Sequence, residues 1–259
     1  MDNELSPEAI RQGLKTRLIG HSIIHHDTIS STMDAAKQAI QEGAAEGTVI
    51  VADHQTAGRG RLSREWLSVP GGGILLSIII YPELEILPRL TMAACLAVSR
   101  SIETVTGLQP AIKWPNDVLL EGRKVSGILS ESDVSEEAVK YAIVGIALNV
   151  NLDTAAMPDI SGTATSLKQV LGREVSRRQV LTALLQEFEN LYLTLQRRQS
   201  IQREWLQRLE TLGKNVTVRC GDEVQEGYAE SVDETGNLII RRPDGTRITV
   251  AAGDVTLRN

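Results

Sequence analysis

At 259 residues, with 42% hydrophobic and 23% charged content, the chain has the composition of an ordinary soluble globule, long enough for one large domain or two unequal ones. Its longest apolar run, residues 73–81, is far short of the roughly 20 residues of a membrane-spanning helix and reads as a buried strand, so no membrane role is expected. A net charge of -6 leaves no global basic footprint for nucleic acid, and any anion site must be local.

The first residues carry acids, with no basic n-region and no apolar h-region, which argues against secretion and for a cytoplasmic protein. Residues 7–18, opening on Pro7, predict a short surface helix, and 22–29 a strand. Ser31-Thr32-Met33-Asp34 matches a capping box, after which a helix over 35–42 closes at Gly43. Residues 48–54 read as a strand running into a Gly-Arg loop at 58–64. A helix over 87–106 ends at Gly107.

From 111 to 150 the pattern becomes an antiparallel meander, with strands at 111–114, 117–120, 124–132 and 141–150 and a turn at Glu121-Gly122-Arg123. Residues 153–165 are turn-rich and expected to be mobile. Ser176 caps a long amphipathic helix through about residue 198, and another helical piece spans 201–210. Past Gly213, turn signals at Cys220-Gly221-Asp222, Glu234-Thr235-Gly236-Asn237 and Asp244-Gly245 indicate a small all-β barrel. The expected division is therefore an α+β catalytic domain over 1–212 and a β-barrel over 213–259. Cys95 and Cys220 lack metal-type spacing and read as inert thiols, and no metal ligands are identified. The sequon at Asn215 reads as chance in a cytosolic chain.

Three segments carry chemistry. In Gln55-Thr56-Ala57-Gly58-Arg59-Gly60-Arg61-Leu62-Ser63-Arg64-Glu65-Trp66, guanidinium groups and glycine-exposed backbone N–H groups suit a phosphate, although a solvated basic loop is the plain alternative. It is neither a Walker A loop nor a dinucleotide fingerprint. In Lys113-Trp114-Pro115-Asn116-Asp117-Val118 the proline marks an edge or bulge and lets Asn116 and Asp117 turn toward a pocket; a simple turn is the alternative. In Lys124-Val125-Ser126-Gly127-Ile128-Leu129 a lysine in a buried strand must reach solvent or an anion, and the hairpin brings it near Asn116 and Asp117.

These runs, in this order and at these intervals, resemble the biotin protein ligases. Ser31-Thr32 upstream, Gly145-Ile146-Ala147-Leu148-Asn149 downstream and the ending Val255-Thr256-Leu257-Arg258 extend the resemblance over residues 15–259. It implies a mixed β-sheet with helices like that of class II aminoacyl-tRNA synthetases, plus an SH3-like C-terminal barrel. It also implies an enzyme that joins biotin to ATP as biotinyl-5'-AMP, releasing pyrophosphate, and passes biotin to a lysine of a biotin carboxyl carrier protein of acetyl-CoA carboxylase or a similar carboxylase.

Position by position, the resemblance implies that Ser31, Thr32 and Gln55 bind the ureido head of biotin, with Gly58 and the Gly127 backbone lining that site. Arg59 and Arg61 hold phosphates and the biotinyl carboxylate, and Lys124 bridges the carboxylate to the α-phosphate. Trp66 stacks on adenine, while Arg64, Lys113, Asn116 and Asn149 border the nucleotide. Asp117 orients the acceptor amine, with hairpin capping as its alternative role. Mg2+ accompanies ATP. Two departures stand out: Met33, where the family often has Asn, and Ser63, where it often has Gly.

The residues before the catalytic region are few and not basic, so a mono-functional ligase without a DNA-binding helix-turn-helix is expected over a transcriptional regulator. Lipoate ligases and octanoyltransferases are the neighbouring enzyme alternative, and a non-catalytic binding module the third. The strand at 141–150 offers a sheet edge through which two copies could pair as a homodimer. Arg258 is a candidate to reach the nucleotide or acceptor.

Overall fold

The computed structural model describes residues 4–136 and 138–258, with the side chains of Ser63 and Arg258 outside the description. The expectations placed on those two side chains therefore lie outside the described residues.

In chain order, α1 (Pro7–Gly13), β1 (Ile23–Ile29), α2 (Thr32–Gln41), β2 (Val49–Gln55), β3 (Gly73–Ile80), α3 (Leu90–Thr106), β4 (Ala111–Lys113), β5 (Asp117–Leu120), β6 (Arg123–Val134) and β7 (Val139–Asn149) build the larger part, completed by α4 (Leu167–Leu171), α5 (Arg177–Gln196) and α6 (Gln202–Arg208). The seven strands form one sheet in the order β1-β2-β3-β7-β6-β5-β4. Among the described strands of this sheet only β1 and β2 run parallel, joined by α2 as the crossover that a parallel pair requires.

Strand periodicity sorts side chains onto the two faces. Along β7, Ala142, Val144, Ile146 and Leu148 enter the main core beneath α3 and α5, while Ile143 joins Met33 and Ala36 of α2 on the other face. α3 carries apolar or small residues nearly all round and is almost wholly buried, as such a helix must be. The β5–β6 hairpin turns on Glu121 (φ 51°) and Gly122 (φ 73°), the two left-handed residues of a type I′ turn.

Five further strands, β8 (Asn215–Cys220), β9 (Glu223–Val232), β10 (Leu238–Arg241), β11 (Arg247–Val250) and β12 (Asp254–Arg258), form an antiparallel sheet in the order β11-β10-β9-β8-β12. The whole is the expected α+β catalytic unit followed by an SH3-like all-β module. Among the described residues no strand pair closes that module's sheet into a full barrel.

The structure corrects several expectations. The strand expected to be a sheet edge at 141–150 is β7, which lies between β3 and β6, so two copies cannot pair along it. The meander ends there in sequence but not in space, because the apolar strand β3 returns from earlier in the chain to cover its open side. The capping box is only half formed: Ser31 Oγ accepts from Met33 N at 3.3 Å, whereas Asp34 turns to the Arg59 guanidinium instead of back to the cap.

α1 stops at Gly13 because residues 17–19 leave the helical path, their three N–H groups donating to the buried Glu189 carboxylate of α5 at 2.7 to 2.8 Å. The segment expected to be mobile at 153–165 is stitched to β6: Lys124 N donates to Thr163 O and Thr165 N to Lys124 O, both at 2.9 Å, and Thr154 and Thr165 are fully buried.

Candidate active site

On the α2 side of the sheet, small residues occupy register-matched positions. Gly145 of β7 pairs with Ser77 on one side and Leu129 on the other, and Ala147 pairs with Gly127. With so little side-chain bulk on this face, a small cavity of about 50 Å³ opens, bounded by Ser31, Thr32, Met33, Gln55, Gly127 and Gly145. Both glycines lie in close contact with neighbouring side chains. A Cβ on Gly127 would stand 3.0 Å from Lys124 Nζ and from the Trp66 ring, and one on Gly145 would stand 2.7 Å from Met33 Sδ. Met33 thus forms a wall of the cavity above Gly145.

The cavity's polar side is a fixed relay of neutral groups. Ser77 Oγ donates to Thr32 Oγ1 at 2.9 Å, and Thr32 donates to Gln55 Oε1 from its backbone N at 2.7 Å and from Oγ1 at 3.0 Å. Gln55 is in turn anchored at its backbone N and O by Ser68 Oγ, both at 3.1 Å. These groups are buried or half-buried and hydrogen-bonded, so they hold a rigid array of donors and acceptors.

Lys124 and Trp66 stand where the cavity meets a wider cleft of about 790 Å³, which Arg64, Lys113, Asp117, Asn149 and Asp254 also line. Lys124 Nζ lies 2.6 Å from Asp117 Oδ1 and 5.4 Å from the Trp66 ring centre, a cation–π distance. The hairpin does bring Lys124 to Asp117, as the spacing predicts. Arg61 donates to Asn116 Oδ1 at 2.9 Å and to Gly253 O at 3.3 Å. Asn116 is stitched to β6, its Nδ2 donating to Ile128 O at 2.8 Å and its carbonyl accepting from Ile128 N at 3.0 Å. Asn149 Nδ2 reaches Thr165 O at 3.1 Å, tying the cleft floor to the 153–165 segment.

Two of the three arginines of the loop are held in ion pairs. Arg59 meets Asp34 at the start of α2, and Arg64 meets Asp254 of the C-terminal module. Burial lowers the Arg61 guanidinium from its ordinary value, against the pull of Asp117 and Asp254. The hydrogen bond to Asp254 raises Arg64. Burial would raise Asp254, but Arg64, aided by Lys113 and Arg61, holds its carboxyl below the usual range. Among the described residues no group of three His, Cys, Asp or Glu side chains could cage a metal ion.

The structure thus brings Ser31, Thr32, Gln55, Arg59, Arg61, Trp66, Asn116, Lys124 and Gly127 to the cavity. It places Arg64, Lys113, Asp117 and Asn149 on the adjoining cleft, and Gly58 packs against Trp66 and Gln55 beside it. Sequence reasoning treated Met33 as a lost polar contact and did not single out its role as a wall. It also did not single out Asp34, Gly253 or Asp254. The alternation of Gly145 and Ala147 in an otherwise bulky strand was the readable sign of the cavity floor; nothing local marks the other four.

A family model described as the biotin/lipoate A/B protein ligase family matches residues 26–149, and one described as the biotin protein ligase C terminal domain matches 211–258. Among curated proteins, the bifunctional ligase/repressor BirA of Bacillus subtilis is 38% identical over 98% of this chain and 79% of its own length. The biotin--[acetyl-CoA-carboxylase] ligase of Mycobacterium tuberculosis is 30% identical over 98% of this chain and 97% of its own. A structure of the Aquifex aeolicus biotin protein ligase in complex with biotin and ATP superposes with a TM-score of 0.78, at 29% identity, covering 92% of this chain and 99% of that one. With the sheet and the C-terminal module in agreement with these matches, the chain belongs to the biotin protein ligases of the biotin/lipoate A/B protein ligase family.

Proposed function

We propose that this ligase carries out both half-reactions at the boundary where Lys124 and Trp66 separate the cavity from the cleft. Biotin's neutral ureido head suits the Ser31, Thr32 and Gln55 array, since a buried donor and acceptor needs matched partners. The valeryl carboxylate then points toward Lys124, and ATP occupies the cleft with adenine against Trp66 and its phosphates among Arg59, Arg61 and Arg64. Lys113, Asn116 and Asn149 border the nucleotide, and Gly58 and Gly127 allow close backbone approach. Magnesium enters bound to ATP, as part of that substrate.

A carboxylate oxygen attacks the α-phosphorus and pyrophosphate departs, leaving a mixed anhydride. Attacker and target are both anionic, so the barrier falls when cations already stand around both. The acceptor's lysine amine then attacks the biotinyl carbonyl and AMP leaves. A free lysine with a pKa near 10.4 is uncharged in only about one molecule in 2,500 at pH 7. Asp117 orients the amine and takes its proton once Lys124 has moved onto the adenylate. The acceptor is proposed to be a lysine of a biotin carboxyl carrier protein.

The observation that carries this reading is Lys124 itself, shared by both spaces and paired to Asp117. Purified protein with ATP, magnesium and either biotin or lipoate should release pyrophosphate with biotin; release with lipoate alone overturns the reading. Cys95 and Cys220 are both free, which fits a reducing compartment and a cytoplasmic enzyme.

A further inference from the structure

Within the Lys113-to-Val118 run, Trp114 lines neither the cavity nor the cleft. It is 1% exposed, and its indole Nε1 donates to Gly236 O at 2.8 Å, in the turn between β9 and β10 of the C-terminal module. Its backbone N donates to Thr211 Oγ1 at 2.9 Å, in the segment that leads into that module. The same segment lies along β4, where Leu209 bridges Ile112 and Glu210 N donates to Ile112 O at 2.9 Å. The catalytic sheet's last strand is therefore covered by the chain on its way to the module, and its end is bolted into the module by one indole.

The receiving turn is itself rigid. Asp233 accepts from Thr235 N and Asn237 N, both at 2.9 Å, and from Thr235 Oγ1 and Asn237 Nδ2, both at 2.8 Å. Gln202 of α6 donates to Asp233 O at 2.7 Å. A turn organised by one carboxylate offers the Gly236 carbonyl in a single orientation, as a positioning device requires. Two residues beyond Trp114, Asn116 receives Arg61, and the next residue, Asp117, receives Lys124.

We propose that Trp114 is a positioning residue through which the C-terminal module sets the β4–β5 turn, so that Asn116 and Asp117 hold Arg61 and Lys124 in register for adenylation. The proposal rests on the functional reading above. The module thereby contributes to catalysis without Trp114 touching a substrate.

Trp114→Phe keeps most of the buried ring and removes the N–H. Loss of one neutral hydrogen bond that aligns the turn should lower kcat for biotin-dependent pyrophosphate release by about five- to tenfold, with KM for biotin changed by less than about twofold, because the Ser31, Thr32 and Gln55 array is untouched. In a cycle with Asn116→Ala the two losses should overlap, since Trp114 acts through that residue; a side chain that only adds stability would give losses that multiply. Thr211→Val, nearly isosteric, should lower kcat in the same way, and Thr211→Ser should restore it. A folded Trp114→Phe or Thr211→Val protein with wild-type kcat overturns the proposal, as do fully multiplicative losses with Asn116→Ala. Should Trp114→Phe fail to fold, the Thr211 pair decides. Wild-type protein that releases no pyrophosphate with biotin would instead strike the functional reading.

Discussion

The cavity and the cleft meet at Lys124 but are built on opposite principles. The cavity presents neutral groups already bonded to one another, Ser77 to Thr32 to Gln55, on a floor of Gly127, Gly145 and Ala147. The cleft and its loop present charges held in ion pairs between separate segments: Arg59 with Asp34, Arg64 with Asp254, Lys124 with Asp117. A neutral head group gains from a rigid, preformed array, because little side-chain freedom is lost on binding. Phosphates and a reacting carboxylate need cations that can change partners. On the proposed reading, resident carboxylates would hold those cations in place until anions arrive, at little cost where the pairs are half exposed and screened.

That contrast is most exposed to failure at Lys124, the residue the two spaces share. Lys124→Gln should lower the rate of biotin-dependent pyrophosphate release by ten- to a hundredfold or more, since a charge-assisted contact is worth about 1.5 to 3 kcal/mol. A loss confined to KM for ATP would show Lys124 to be a binding group only.

A smaller effect should separate the cavity from the cleft. Gly145→Val fills the space beside Met33 and should raise KM for biotin about tenfold while leaving KM for ATP within about twofold. Equal changes in both would mean that the two spaces are not independent.

The smallest effect probes the exchangeable pairs through pH. Asp254 has its folded-state carboxyl pKa held below the ordinary value, so its pairing stabilises the protein above the unfolded carboxylate pKa, about 3.9, and that contribution is lost as pH falls through the lower folded value. Asp254→Asn should therefore melt about 1–3 °C below wild type at neutral pH, the difference closing in acid. An offset that stays constant from neutral to acid pH, read by calorimetry, would remove Asp254 from the set of titrating partners.

Much of this was legible in one dimension. The strands and helices carried their periods and stop signals, Gly43 and Gly107 among them, and the Glu121-Gly122 turn announced the hairpin that carries Lys124 to Asp117. Partnerships between remote segments were not. Nothing around Asp254 marks it as the partner of Arg64, nothing around Trp114 points to Gly236, and β7 resembled an edge because its neighbour β3 lies far away along the chain.

By itself, then, the sequence determined which elements form and which residues carry charge, hydrogen-bonding capacity or absence of bulk, since these depend on neighbours a few positions away. Tertiary structure decided which of those residues meet. The choice of β3 as partner for β7, the stripping of one sheet face into a cavity and the insertion of Trp114 into the C-terminal module all depend on burying apolar surface from distant segments together, and burial is a property of the whole chain.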